Sequence, residues 1–223
     1  MPDLGPFTSA IVPIYNERAT VAHVVATLLA SDAVDEIVCV DDGSTDGSLA
    51  ILRGFGRRIV LVELEQNRGK GGALAEGIWR ANGTIVAFFD ADLMTLSVDH
   101  VGALLAPLHD GPARVALGFF PGDSAYSRLI ARATGPRFSG ERAYYRRDLL
   151  PHLSRMATAG FGVEVILNGL FAAEETQVVP LPGLTGLGKE DKHPPMVATR
   201  EYACEIAQVT REVVRRRFAW DRR

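Results

Sequence analysis

The chain has 223 residues, 47% of them apolar and 23% charged, with a net charge of -3. That length can bury a substantial core, and so small a net charge offers no field to draw nucleic acid, so no nucleic-acid partner is expected. Cys39 and Cys204 are too few for a disulfide framework, "MPDLGPFTSA" carries no signal-peptide pattern, and no apolar run reaches 18 residues; a cytoplasmic protein without a membrane span is the expectation.

In chain order, short β-branched runs alternate with stretches of helical period, the pattern of a parallel sheet covered by helices. "SAIVPI" reads as a first strand, followed by a helix whose Val21, Val24, Val25, Leu28 and Leu29 form one apolar stripe. "EIVCVD" is a second strand, with Cys39 as a small buried hydrophobe, and a helix runs through Leu49, Leu52 and Phe55. "RIVLVEL", the helix "KGGALAEGIWRA" and the strand "TIVAFFD" complete four crossover units by about residue 90. Beyond residue 95 the expected elements are a helix near Val98 to Leu105, a strand at "RVALGF", and a helix within 124–133. Helices around 146–153 and 162–172, a strand "TQVVPL" and a basic helix from about Glu201 to Arg217 follow. One domain over 1–223 is expected, with a nucleotide-binding half at about 8–95, an acceptor half at about 96–200 and the basic helix at about 201–223.

Each of the first four strands ends in a polar cluster: "PIYNE", "DDGSTDGS", "NRGKGG" and "DAD". Ligands of open α/β sheets bind outside the carboxyl ends of strands, so all four fall at one edge where a ligand would sit. Gly43 allows a tight turn, and Ser44, Thr45 or Asp46 can cap the next helix; Asp41 and Asp42 exceed what capping needs, and at least one is expected to meet a ribose or base edge. "NRGKGG" departs from a Walker loop, since Lys70 precedes glycine, and no strand runs into Gly-x-Gly-x-x-Gly, which argues against a nicotinamide enzyme. Lys70 at a helix N-terminus remains a candidate anion site.

Asp90 and Asp92 stand two residues apart after an apolar run. Their carboxylates would lie roughly 6 to 7 Å apart on an extended chain and repel by roughly 2 to 3 kcal/mol. A hard divalent cation such as Mg²⁺ or Mn²⁺ would resolve that repulsion and bridge a diphosphate.

Taken together, "VPIYNE", "VDDGSTDGS", "NRGKGGAL" and "FFDADL" resemble the nucleotide-sugar half of glycosyltransferase family 2, with its GT-A fold. Within that family the likeness is to polyprenyl-phosphate sugar transferases of the dolichol-phosphate mannosyltransferase type and, less closely, to glucosyl-3-phosphoglycerate synthases; "SGERAYYRR" and "GFGVE" extend it to about residue 165. The resemblance implies a single α/β domain with a mostly parallel sheet flanked by helices. It also implies transfer of a hexose from a UDP- or GDP-linked sugar to an anionic, phosphate-bearing acceptor, polyprenyl phosphate being favoured.

By the same resemblance, Pro13, Tyr15, Asn16 and Glu17 would hold base and ribose with Asp41 and Asp42, while Lys70, Asp90 and Ala91 would line the rest of the nucleotide. Asp90 and Asp92 would carry the metal. Ser139 and Arg142 of "SG-x-R" would face the acceptor, and Glu164 would bind sugar or act as a base. Where polyprenyl-type members often carry Gln, Met94 stands, so a third metal ligand would come from a late loop, where His193 is the one histidine. "REVVRRRFAW" would either lie on an anionic membrane face or pack its apolar side on the domain. A sugar-phosphate nucleotidyltransferase and a non-catalytic nucleotide-sugar-binding module are the rival readings.

Overall fold

The computed structural model describes residues 6–120, 139–188 and 206–211. The expected helix within 124–133, His193, and the basic terminal helix apart from 206–211, which is helical, lie outside the described residues.

Along β1 (Thr8–Ile14), β2 (Glu36–Asp41) and β4 (Ile85–Phe88), side chains alternate between two faces, and both faces are apolar. Ala10, Val12, Ile14, Ile37, Cys39, Ile85 and Ala87 join a core on one side. Ile11, Val38, Val40, Val86 and Phe88 join a second core on the other. Helices α1 (Val21–Leu29), α2 (Ser48–Gly54) and α4 (Val98–His109) cover the first through Val21, Val24, Val25, Leu28, Leu52 and Leu104. Helix α3 (Gly69–Arg80) covers the second through Ala73, Leu74 and Ile78. The Cys39 thiol sits wholly inside, and burial pushes its pKa up to about 12, so it behaves as the expected inert hydrophobe.

With β3 (Val60–Glu63), β5 (Val115–Phe119), β6 (Arg142–Tyr145) and β7 (Thr176–Pro180), the strands form one seven-stranded sheet in the order β3-β2-β1-β4-β6-β5-β7. All neighbours run parallel except β6, which is antiparallel to both β4 and β5. Strand β6 was not anticipated: "RAYY" is four residues between charged groups, too short for a period to show. Its insertion carries "SGER" to the C-terminal end of β4, beside "DAD", since Phe88 pairs with Arg142.

The helix expected at 146–153 is broken into α5 (Arg146–Leu149), a 3₁₀ turn over Leu150–His152 and α6 (Leu153–Met156), because Pro151 has no amide hydrogen to donate. The one expected at 162–172 begins as a 3₁₀ turn, Gly160–Gly162, and shrinks to α7 (Val163–Leu167). Among the described residues no helix is long and apolar enough to cross a membrane.

Helix α3 lies close to the sheet at Gly77, where an added methyl group would collide with Ile11 Cγ2 and press on Val40 Cγ2 at 3.2 Å. Gly77→Ala should therefore cost about 1–3 kcal/mol. Differential scanning calorimetry should show a melting temperature lower by roughly 2–10 °C; an unchanged value would mean that the helix can lift off the sheet without penalty.

Candidate functional site

The loops after β1 and β2 brace each other. Asn16 takes φ +59°, which asparagine tolerates, and its Oδ1 accepts the Thr45 amide at 2.8 Å. Ser44 Oγ accepts the Asn16 amide (3.0 Å), Ser48 Oγ accepts the Glu17 amide (2.9 Å), and Asp46 accepts the Arg18 amide (2.9 Å). Asp46 also receives the Ser48 amide and hydroxyl at 2.9 and 2.6 Å, so residues 44–48 perform the expected turn chemistry. The side chain of Asn16 thus serves as a brace through its Oδ1.

The two aspartates after β2 have separate duties. Asp42 accepts the Arg68 amide at 2.7 Å and the Gly69 amide at 2.8 Å, one on each oxygen, and so fills the N-terminus of α3. The anion position offered by that helix end is thus filled by the protein's own carboxylate. Asp41 is the freer of the pair: Oδ2 accepts the Ser44 amide at 3.2 Å, while Oδ1 is buried with no hydrogen-bond partner among the described residues. Tyr15 is 47% exposed, and Pro13 and Glu17 lie half-buried beside it at the same edge.

Lys70, in the first turn of α3, turns inward instead of presenting an open anion site. Its Nζ lies 2.8 Å from Asp90 Oδ1 and 3.1 Å from Glu164 Oε1, with only 13% of the side chain exposed. Burial works against the ammonium, yet Asp90 and then Glu164 overcome it and hold its pKa above the ordinary lysine value. Burial raises the Glu164 carboxyl, opposed by Lys70 and Arg142. Gly140 lies so close to Asp90 that any side chain there would run into the carboxylate.

The turn before β6 adds a group that sequence reasoning missed. Glu141 is 1% exposed; Ser139 Oγ donates to its Oε2 at 2.8 Å, and its Oε1 is buried without a partner. The signal was present as the third letter of "SGER", between the two residues that drew attention. Arg142, expected to face the acceptor, is 2% exposed. It donates to Ser139 O (2.7 Å), Asn168 Oδ1 (2.8 Å) and Tyr144 Oη (3.3 Å). Arg146 closes the end of α3 through Ile78 O and Trp79 O, and Arg147 is a surface residue.

Asp92 follows Asp90 and the buried Ala91, and its main chain is strapped to a late segment. The Leu187 amide donates to Asp92 O (2.9 Å), the Met94 amide to Thr185 O (2.8 Å), and Leu93 forms a bridge with Gly186. Among the described residues no three acidic, histidine or cysteine side chains are arranged to grip an ion. Two carboxylates this close to an exposed edge suit a cation that completes its shell on a diphosphate better than a closed cage.

Burial, reinforced by the charge of Asp90, pushes the Glu141 carboxyl up to about 8 from an ordinary 4.5. Between those values the folded chain holds a proton that the unfolded chain releases, so the stability Glu141 contributes weakens as pH rises through that window. Glu141→Gln should flatten the fall in melting temperature between about pH 5 and about pH 8; parallel melting curves for both proteins would show that the carboxyl is ionised throughout.

Comparison with known proteins follows this geometry. An undecaprenyl-phosphate 4-deoxy-4-formamido-L-arabinose transferase of Edwardsiella ictaluri is 39% identical over 95 residues, 39% of this chain and 29% of its own. A glucosyl-3-phosphoglycerate synthase of Mycolicibacterium smegmatis is 35% identical over 111 residues, 47% of this chain and 37% of its own. The matched stretches thus span about a third of these curated relatives. The Mycobacterium tuberculosis glucosyl-3-phosphoglycerate synthase, solved with Mn²⁺, UDP and glucosyl-3-phosphoglycerate and also with Mg²⁺ and UDP, superposes with a TM-score of 0.73 at 25% identity. The match covers 96% of this chain and 81% of that one. The expected GT-A architecture is therefore the one observed. The family model described as "Glycosyl transferase family 2" matches residues 9–164, from β1 through Glu164, so every strand-end cluster described above lies within it and the chain belongs to glycosyl transferase family 2.

Proposed function

We propose that the protein is a metal-dependent hexosyltransferase that moves a sugar from a nucleoside diphosphate to a phosphate-bearing acceptor. One observation carries this reading: Lys70, Asp90, Ser139, Glu141 and Glu164, drawn from four separate stretches of chain, converge beside Asp92 at the C-terminal edge of the sheet. The similar glucosyl-3-phosphoglycerate synthase, solved with a divalent ion and UDP, supports it.

In this reading Asp41 Oδ1, buried and lacking a partner, accepts a hydrogen bond from the base, with Pro13, Tyr15 and Glu17 around base and ribose. Asp90 and Asp92 hold Mg²⁺ or Mn²⁺ together with the donor's diphosphate. Bound there, the cation stabilises the charge that develops on the departing nucleotide. Glu164 stands where the hexose would lie, and Ser139 lines the way to the acceptor. The likeness to the phosphoglycerate enzyme covers 96% of the chain in structure, and an undecaprenyl-phosphate transferase of Shewanella sediminis matches 77% of it in sequence, so a small phosphorylated acid and polyprenyl phosphate are both acceptors to test.

The test is nucleotide release from UDP-glucose or GDP-mannose with Mn²⁺, given phosphoglycerate or a polyprenyl phosphate in detergent. Release that depends on one acceptor names the reaction; release with neither acceptor and neither donor sinks it. Asp92→Ala should lower turnover by about a hundredfold or more, as expected when several kcal/mol of charge stabilisation are lost, with the melting temperature unchanged. Full activity in that variant would remove Asp92 from the site.

A further inference from the structure

We infer that Lys70 is an internal counter-ion: in the donor-free protein it occupies Asp90, and it cedes that carboxylate to the cation of the incoming sugar nucleotide, withdrawing toward Glu164 and Glu141. This inference rests on the metal-dependent reading above. Lys70 Nζ lies 2.8 Å from Oδ1 and 3.0 Å from Oδ2 of Asp90, so a single ammonium covers both oxygens that an ion would need. An ammonium and a divalent ion on one partly buried carboxylate repel each other with little screening, which favours displacement of the ammonium.

Asp90 has the shorter side chain and is crowded on one face. The Gly140 main chain stands against its carboxylate so closely that even a methyl group would not fit between them. The helix that carries Lys70 is equally fixed, since Asp42 holds its first amides and an added Cβ at Gly71 would strike the Met156 carbonyl. What can move is the four-carbon stem of the lysine, whose three donors need not all point one way.

Acceptors are already in place for the withdrawn ammonium. Glu164 Oε1 is 3.1 Å from Nζ in the donor-free arrangement. Glu141 feels the charges of both Lys70 and Asp90, and its Oε1 is buried with no partner among the described residues, a cost that a second ammonium contact would relieve. The swap keeps a positive charge on each side of the exchange, so no carboxylate of the cluster is left bare.

The experiment measures Mn²⁺ binding directly, through loss of the free-ion electron paramagnetic resonance signal, with and without UDP. Without nucleotide, Lys70→Met should bind Mn²⁺ about tenfold or more tightly than the parent protein, since a competing charge has gone. Lys70→Arg should not gain, and adding Asp90→Asn to Lys70→Met should abolish the gain. Equal or weaker binding by Lys70→Met, or a gain that survives Asp90→Asn, overturns the inference. A second readout needs no variant: the side-chain ammonium resonance of Lys70 should shift when Mg²⁺ and UDP are added to the parent protein, and a resonance that stays in place also overturns it. If parent and variant both bind Mn²⁺ with UDP present but the nucleotide-free gain is missing, only this inference fails. If neither binds the ion even with UDP, the metal-dependent reading fails and takes the inference with it.

Discussion

The ammonium of Lys70, enclosed by Asp90, Glu164 and Glu141, is the constraint around which the edge of the sheet is built. Ions are tolerated in such a place only when their charges cancel and their hydrogen bonds are met. Lys70 and Arg142 supply two positive charges against three acids. The cluster is neutral when one acid keeps its proton, and Glu141, the most enclosed of the three, has the environment to do so. Much nearby follows from this accounting. Tyr144 and Asn168 satisfy the buried guanidinium, Ser139 binds the Glu141 carboxyl, and a side chain at position 140 would displace the Asp90 carboxylate.

Around that cluster, many polar residues of the strand-end motifs serve to make loops rather than to touch a ligand. Asn16, Ser44, Asp46 and Ser48 tie two loops into one platform, and Asp42 satisfies the first amides of α3. A site assembled this way holds its remaining groups, Asp41, Tyr15 and the Asp90–Asp92 pair, in place before any donor arrives. Such preorganisation lowers the ordering cost of binding.

Asp92 shows how far in the chain that preorganisation reaches. Its backbone is paired with residues 185–187, and that late segment is fastened again where Thr95 Oγ1 donates to Gly183 O and accepts the Thr185 amide. His100 completes the fastening: one ring nitrogen accepts the Ser97 amide at the start of α4, and the other donates to Pro182 O. The end of β4 that carries Asp90 and Asp92 is therefore positioned by a segment some ninety residues downstream as much as by its own strand.

By itself the sequence determined the alternating elements through β4, both apolar faces of the central strands, the buried state of Cys39 and the edge on which the polar clusters meet. These depend on hydrophobic period and turn chemistry, which act between residues close in the chain. It also named Asp41, Lys70, Asp90, Asp92 and Glu164 as residues of that edge. Only the tertiary structure decided that β6 slips antiparallel between β4 and β5, that Arg142 points inward, that Asp42 caps a helix, and that Glu141 joins Lys70. Each of those outcomes depends on which partner a polar group meets from a distant stretch of chain. Periodicity cannot carry that information, because the energy of a buried charge is set by its neighbours in space and not by its neighbours in sequence.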